Sequence, residues 1–339
     1  MASHRRPKQP ARTRVTVLTA TAAAAVALSA HSAVAAPAGP DKDEVKSKVD
    51  ALYEEAEQAT EKSNGAREHQ RELEREIAQL QDAVARDQDE LNGLRNTLGS
   101  LATAQYRGGG IDPSVALLLS GDPETYLDKA STLQQLSGRQ LEAVARIRAK
   151  QRALAQQRQE AAGKLADLDA TRKELGEKKK AAQDKLAEAQ ALLNTLSAQD
   201  RSRLKEEEAG QSAAGQKAAP AVKASGRAGA ALAAAKTKLG SAYIMGATGP
   251  SAYDCSGLTQ WAYGQAGVGI SRTTYTQAND GTRIGRSQLQ PGDLVFFYDD
   301  LHHVGLYAGN NMTLHASNPR GGVKYESMDN MPFQFGVRI

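Results

Sequence analysis

The chain has a single cysteine and only six histidines in 339 residues. Cys255 lies in Tyr253-Asp254-Cys255-Ser256-Gly257, and three of the histidines, His302, His303 and His315, follow it. A thiol beside an imidazole that a third polar group holds in place suits nucleophilic acyl transfer. The base takes the thiol proton, the thiolate attacks a carbonyl, and the proton is handed to the leaving group. A lone cysteine can also be a small buried hydrophobe. Polar neighbours and the lack of any disulfide partner favour a reactive thiol here. A zinc site from the same side chains is the metal alternative, but their spacing follows none of the usual ligand patterns. No metal and no cofactor is expected.

The residues after the cysteine tell how it is held. Leu258, Trp261 and Ala262 have helical spacing, and Asp254 or Ser256 can cap that helix. Cys255 then falls in the first turn, where free N–H groups and the macrodipole favour a thiolate. A helix of small residues at 228–239 precedes it. Strand patterns follow at 294–298, 303–308, 312–316, 323–325 and 335–339. They are separated by turns such as Pro291-Gly292-Asp293 and Gly309-Asn310-Asn311. The expected fold is α+β, with helices packed on a small antiparallel sheet. A helix-borne cysteine ahead of strand-borne histidines is the papain-like order. His302, one position out of register with His303, is expected to face away from the site as a structural or solvated residue.

The rest of the chain is built differently. Twelve of the 15 aromatic residues lie between Tyr243 and Phe335, so the compact core should be C-terminal. The net charge of +4 comes from the leader, where Arg5, Arg6, Lys8, Arg12 and Arg14 stand without an acid. The remainder carries 38 basic and 39 acidic side chains, and no basic groove for nucleic acid is expected. The basic start, the apolar run at 15–30 and Ala33-Val34-Ala35 read as a signal peptide over 1–35. The mature protein is therefore expected outside the cytoplasm, secreted or wall-associated. From Val45 to Leu101 apolar residues recur on a four-three spacing, and a weaker series runs from Val144 to Leu196. Gly108-Gly109-Gly110 breaks the helix between them. This predicts a coiled-coil hairpin over 36–208. The apolar stretch 115–119 near its tip either closes the hairpin end or docks a partner. Small, polar, periodless residues at 209–226 read as a flexible linker, and the last domain spans 227–339.

Residues 243–316 resemble the NlpC family of papain-like cell-wall peptidases. The likeness rests on Tyr253-Asp254-Cys255-Ser256-Gly257-Leu258, Pro291-Gly292-Asp293-Leu294-Val295-Phe296-Phe297, His303-Val304-Gly305-Leu306-Tyr307 and Leu314-His315-Ala316. The resemblance implies that Cys255 is the nucleophile, His303 the general base and His315 the residue that orients it. Tyr243 would line the site and assist the oxyanion, and Asp254 and Ser256 would bind the amino and carboxyl groups of the peptide. Ile244-Met245-Gly246-Ala247 departs from the family's Trp-Gly-Gly-type stretch, so the cleft wall should differ. The implied activity is cleavage of the bond between D-glutamate and the diamino acid of peptidoglycan stem peptides. In architecture the chain is similar to division-associated Rip-type hydrolases of actinobacteria. In those a coil restrains or positions the peptidase, and a membrane complex of FtsE–FtsX type engages it. The competing readings are a non-catalytic wall-binding scaffold and an amidase or acyl transferase on the same fold.

Overall fold

The computed structural model describes residues 40–107, 113–119, 123–218 and 226–339. The expected signal peptide and the Gly108-Gly109-Gly110 break lie outside the described residues. Two long helices form the expected hairpin: α1 (Lys42–Arg107, 66 residues) and α3 (Pro123–Thr195, 73 residues), with a short α2 (Pro113–Leu118) between them. At 1.5 Å per residue α1 extends about 100 Å. The helices run antiparallel. Leu73 and Ile77 of α1 meet Leu168 of α3, and nearer the base Val45, Val49 and Leu52 meet Ala189 and Leu196. Ion pairs flank this seam, among them Lys150–Asp87 at 2.9 Å, Lys164–Glu76 at 2.6 Å and Lys185–Glu55 at 2.7 Å. Exposed pairs of this kind contribute little, so the apolar seam carries the hairpin. Near the tip Val115, Leu118 and Leu119 are exposed. Among the described residues no helix is long and apolar enough to cross a membrane.

A fourth helix, α4 (Ala198–Ala218), turns back at the hairpin base and adds Leu204 to the Val45–Leu196 cluster. The C-terminal domain then contains α5 (Gly226–Lys236), α6 (Cys255–Gln265) and α7 (Thr274–Gln277). A parallel pair, β1 (Ala242–Tyr243) and β2 (Ala252–Tyr253), precedes α6. The main sheet is antiparallel throughout. Its strands are β3 (Thr282–Ile284), β4 (Leu294–Phe297), β5 (His303–Gly309), β6 (Met312–Ala316), β7 (Val323–Ser327) and β8 (Phe333–Arg338), in spatial order β3-β8-β4-β5-β6-β7. Leu258, Ala262 and Tyr263 of α6 and Leu232 of α5 pack on Leu294, Phe296, Leu306 and Leu314 of the sheet. Burying one such side chain fully stabilises the domain by about 1.5–3 kcal/mol. The Tyr263 hydroxyl donates to the Gly292 carbonyl at 2.8 Å inside this core. Tyr263→Phe is expected to cost about 1 kcal/mol by leaving that carbonyl unpaired, measurable as a lowered Tm.

The composition of 209–226 predicts a flexible linker, but over 209–218 the chain is the second half of α4. The small residues that hide any periodicity also give this helix a flat face. Gly215 lies so close to β7 that a Cβ there would be 2.7 Å from the Tyr325 carbonyl oxygen. Thus α4 covers the edge strand of the sheet, which would otherwise present unpaired backbone groups. Residues 219–225 lie outside the described residues.

Candidate active site

Asp254 ends the extended segment before α6 and caps it, its Oδ1 accepting from Gly257 N at 2.7 Å. Cys255 is therefore the first helical residue, as the sequence predicts. Asp254 Oδ2 accepts from Gly246 N at 2.9 Å and from Arg272 Nη2 at 2.6 Å, a fully buried ion pair. Arg272 Nη1 donates to Ser256 Oγ at 2.7 Å. Gln277 clamps the same turn, donating to Ser256 O at 2.9 Å. The β1–β2 register sets Tyr243 opposite Tyr253, which brings Tyr243, buried, to the cleft beside His303.

The histidines come from neighbouring strands. His303 opens β5 opposite Phe297, and His315 lies on β6 opposite Lys324. In the β5–β6 register they are diagonal neighbours on one face. Gly305 makes room for them: a Cβ there would be 3.0 Å from the His315 Cβ and 2.3 Å from Thr313 Oγ1. His303 Nε2 then meets His315 Nδ1 at 2.7 Å. His315 Nε2 lies 3.3 Å from Glu326 Oε2, in an alignment short of a proper hydrogen bond. His302 is buried in a structural role rather than solvated. Its ring stacks on Tyr298, Asp300 holds its Nδ1, and its carbonyl lies 3.7 Å from Cys255 Sγ.

Side chains of α1 fill the space in front of these groups. Glu57 Oε1 lies 2.6 Å from His303 Nδ1. A Glu57 oxygen, the Cys255 sulfur and a His303 ring nitrogen all fall within 4.8 Å of one another. Four residues on, Glu61 accepts from Ser256 Oγ at 2.7 Å, Thr274 N at 2.8 Å and Thr274 Oγ1 at 3.1 Å, and touches Cys255 Sγ at 3.8 Å. Asn64 Nδ2 donates to Asp254 Oδ2 and to Glu61, each at 3.0 Å. Cys255, Ser256 and Asp254 are wholly buried.

This lid reverses the thiol's expected electrostatics. The helix N-terminus alone favours the thiolate. Burial, then the charges of Glu57, Glu61 and Asp254, push the Cys255 thiol well above its ordinary value. Burial and Asp254 likewise raise Glu61, to about 7, against the groups that hydrogen-bond it. For His303 burial works against the imidazolium, yet the charge and hydrogen bond of Glu57 outweigh it and the pKa rises. Burial, with His303 beside it, lowers His315 to about 4, so His315 is a neutral acceptor for His303 Nε2–H. Despite burial, His315 and Lys324 hold the Glu326 carboxyl well below its usual range.

The structure thus brings Cys255, His303, His315, Tyr243, Asp254 and Ser256 together. Sequence reading missed Arg272, Thr274 and Glu326 in the domain and Glu57, Glu61 and Asn64 in the arm. The weakest part of the α1 heptad series, Ala56, Ala59, Ser63 and Ala66, was the one signal for the last three. There the seam residues are small because the helix packs on the peptidase-like domain as well as on α3.

A capped helix bearing a cysteine, set against an antiparallel sheet bearing a histidine pair, defines the papain-like class of α+β folds. Residues 240–337 match the NlpC/P60 family. A probable endopeptidase of Corynebacterium glutamicum is 51% identical over 106 residues, which is 31% of this chain and 51% of that protein. The probable endopeptidase p60 of Listeria monocytogenes is 42% identical over 99 residues, 29% of this chain and 20% of that protein. The chain thus spans about half the length, or less, of these curated relatives. Among solved structures, the NlpC/p60 domain of the peptidoglycan hydrolase SagA is 34% identical, covering 33% of this chain and 98% of that one with a TM-score of 0.32. NlpC1 from Trichomonas vaginalis is 36% identical, covering 34% and 45% with a TM-score of 0.32.

Proposed function

We propose that the protein is an extracytoplasmic cysteine endopeptidase of peptidoglycan, cleaving between D-glutamate and the following diamino acid, and that α1 holds it latent. The observation that carries this reading is the Cys255–His303–His315 set with carboxylates of α1 lodged on it. Once α1 withdraws, His303 Nδ1 loses Glu57 and is free to take the Cys255 proton. The thiolate attacks the scissile carbonyl while the Cys255 backbone N–H and Tyr243 stand by the developing oxyanion. The C–N bond then breaks, His303 gives its proton to the leaving amine, and the thioacyl-enzyme is hydrolysed by a water that His303 activates. His315, neutral, accepts from His303 Nε2–H and fixes the ring.

Glu61 supports the substrate assignment. It is a carboxylate held by Ser256 and Thr274 with Arg272 behind, beside an amide on Asp254. A peptide with a free carboxylate and an amino group fits the same partners. Withdrawal of the arm calls for a partner at its exposed tip. The one we propose is a membrane division complex of FtsE–FtsX type, reached through Val115, Leu118 and Leu119. The test is mass spectrometry of products from defined stem peptides, with the Cys255→Ala chain as blank. Fragments ending in γ-D-glutamate are expected. Cleavage at an amide linkage elsewhere, or equal cleavage by the blank, would overturn the reading.

A further inference from the structure

Arg320 lies in the turn between β6 and β7, with its side chain one-tenth exposed. It lines the same cavity as His303 and His315, a space of about 350 Å³ between arm and domain. Nη2 donates to Asp50 Oδ1 at 2.7 Å, Nε pairs with Glu208, and the guanidinium lies over the ring of Tyr53. Among the described residues, every side-chain partner of this guanidinium comes from the helical arm. Its Nη1 is buried without a hydrogen-bond partner. Withdrawal of α1 would therefore strip Arg320 of Asp50, and displacement of the start of α4 with it would remove Glu208, leaving a guanidinium with free donors on the cleft wall.

The helix provides a ruler for where that wall lies. Along α1, Asp50 touches Arg320, Glu57 touches His303, Glu61 touches Ser256 and Thr274, and Asn64 touches Asp254. Glu57 and Glu61 are about 6 Å apart along the axis, and Asp50 lies about 10 Å from Glu57 in the opposite direction. The scissile bond belongs at Cys255 and His303. The carboxylate subsite of the acyl half lies to one side, so Arg320 falls on the leaving-group side. A second carboxylate at the end of a diamino acid side chain stands six single bonds from its α-nitrogen, about 8 Å when extended. The carboxylate of a residue one further along the main chain reaches a similar distance.

We propose that Arg320 is a carboxylate-receiving subsite for the leaving group, suited to a diamino acid that carries a second carboxylate, such as diaminopimelate, over lysine. This rests on the endopeptidase reading above. The arm's acids would then occupy substrate carboxylate positions on both sides of the nucleophile, Glu61 on one and Asp50 with Glu208 on the other. Lys324 lines the same cavity, but Glu326 at 2.9 Å neutralises it. Among the described residues of the domain that line this cavity, Arg320 is therefore the cation that withdrawal of the arm leaves unpaired.

The test uses the full chain opened by Glu57→Ala with Glu61→Ala. The substrates are L-Ala-γ-D-Glu-diaminopimelate, the same peptide with its second carboxylate amidated, the lysine tripeptide, and the lysine peptide extended by D-Ala. The expected result is at least about tenfold higher kcat/KM, mostly through KM, for the diaminopimelate peptide, which alone carries the extra carboxylate, as for loss of one charge-assisted hydrogen bond. Arg320→Gln on this background should remove that preference and leave the lysine tripeptide within about twofold, with Arg320→Lys restoring part of it. A preference confined to the D-Ala-extended peptide would place the carboxylate on the main chain and overturn the diamino acid preference. A preference confined to diaminopimelate would assign it to the side chain. Equal rates for all four peptides, or a parallel loss on all of them in Arg320→Gln, overturns the subsite. Calorimetric binding to the opened Cys255→Ala chain separates the two readings. Arg320-dependent binding without turnover in the active chain sinks the endopeptidase reading and keeps the subsite, whereas absence of binding and turnover for all four peptides overturns both.

Discussion

The Glu61→Lys chain is expected to be alkylated at Cys255 by iodoacetamide at least about 100-fold faster than the parent chain, with endopeptidase activity rising in parallel. Glu61 is wholly buried and accepts from Ser256, Thr274 and Asn64. The substituted ammonium would meet those donors and the Arg272 guanidinium, itself only 8% exposed. An uncompensated charge of this kind costs about 3–5 kcal/mol, more than a hundredfold in a docking equilibrium. The domain's own set of Cys255, His303 and His315 is untouched, so opening should reveal activity rather than destroy it. Glu68→Lys, at a half-buried position on the same helix where the carboxylate pairs with Arg71, should leave the alkylation rate unchanged. If the two variants react alike, α1 does not close the site.

Local order was what the sequence could express. The cap at Asp254, the helix from Cys255 and the strands at 294–297, 303–309, 312–316 and 323–327 each follow from residues within a few positions of one another. The two-residue strands β1 and β2, the three-residue β3 and the single turn α7 were not anticipated, because such lengths leave no period to detect. The lid was illegible for a different reason. A heptad reading assigns Glu57 and Glu61 to a solvated face, and only contacts across more than 190 residues of chain bury them. The same gap explains the thiol. From the helix N-terminus alone Cys255 looks activated, whereas burial, and then three carboxylates, two of them brought by the arm, hold it protonated. The supposed linker shows the converse. Residues chosen for smallness rather than for pattern made a helix with Gly215 seated on Tyr325.

Docking of α1 on the site should also depend on pH, with a sign that the docked charges fix. Glu61 titrates near 4.5 when free and at about 7 when docked, so docking binds a proton. His303, raised by Glu57, acts in the same direction. Each group stabilises the docked state fully below its free value, and that contribution is lost as pH rises through the docked value. For Glu61 the window is 4.5 to about 7, and the docking equilibrium should weaken across it by about two orders of magnitude. Asp254 and Arg272 face Glu61, and Glu57, Glu326 and His315 face His303. Burial, with His303 beside it, lowers His315 to about 4, so in the docked state it stays neutral across this window. The Thr274 amide, which donates to Glu61 at 2.8 Å, reports the contact. Its hydrogen-exchange protection, corrected for the intrinsic pH dependence of exchange, is expected to fall about 100-fold between pH 5 and pH 8 in the full chain. In Glu61→Gln, which cannot titrate, the dependence should shrink to the smaller part owed to His303. Protection that stays constant over this range in the parent chain, or falls equally in Glu61→Gln, would show that the Glu61 proton does not control the arm.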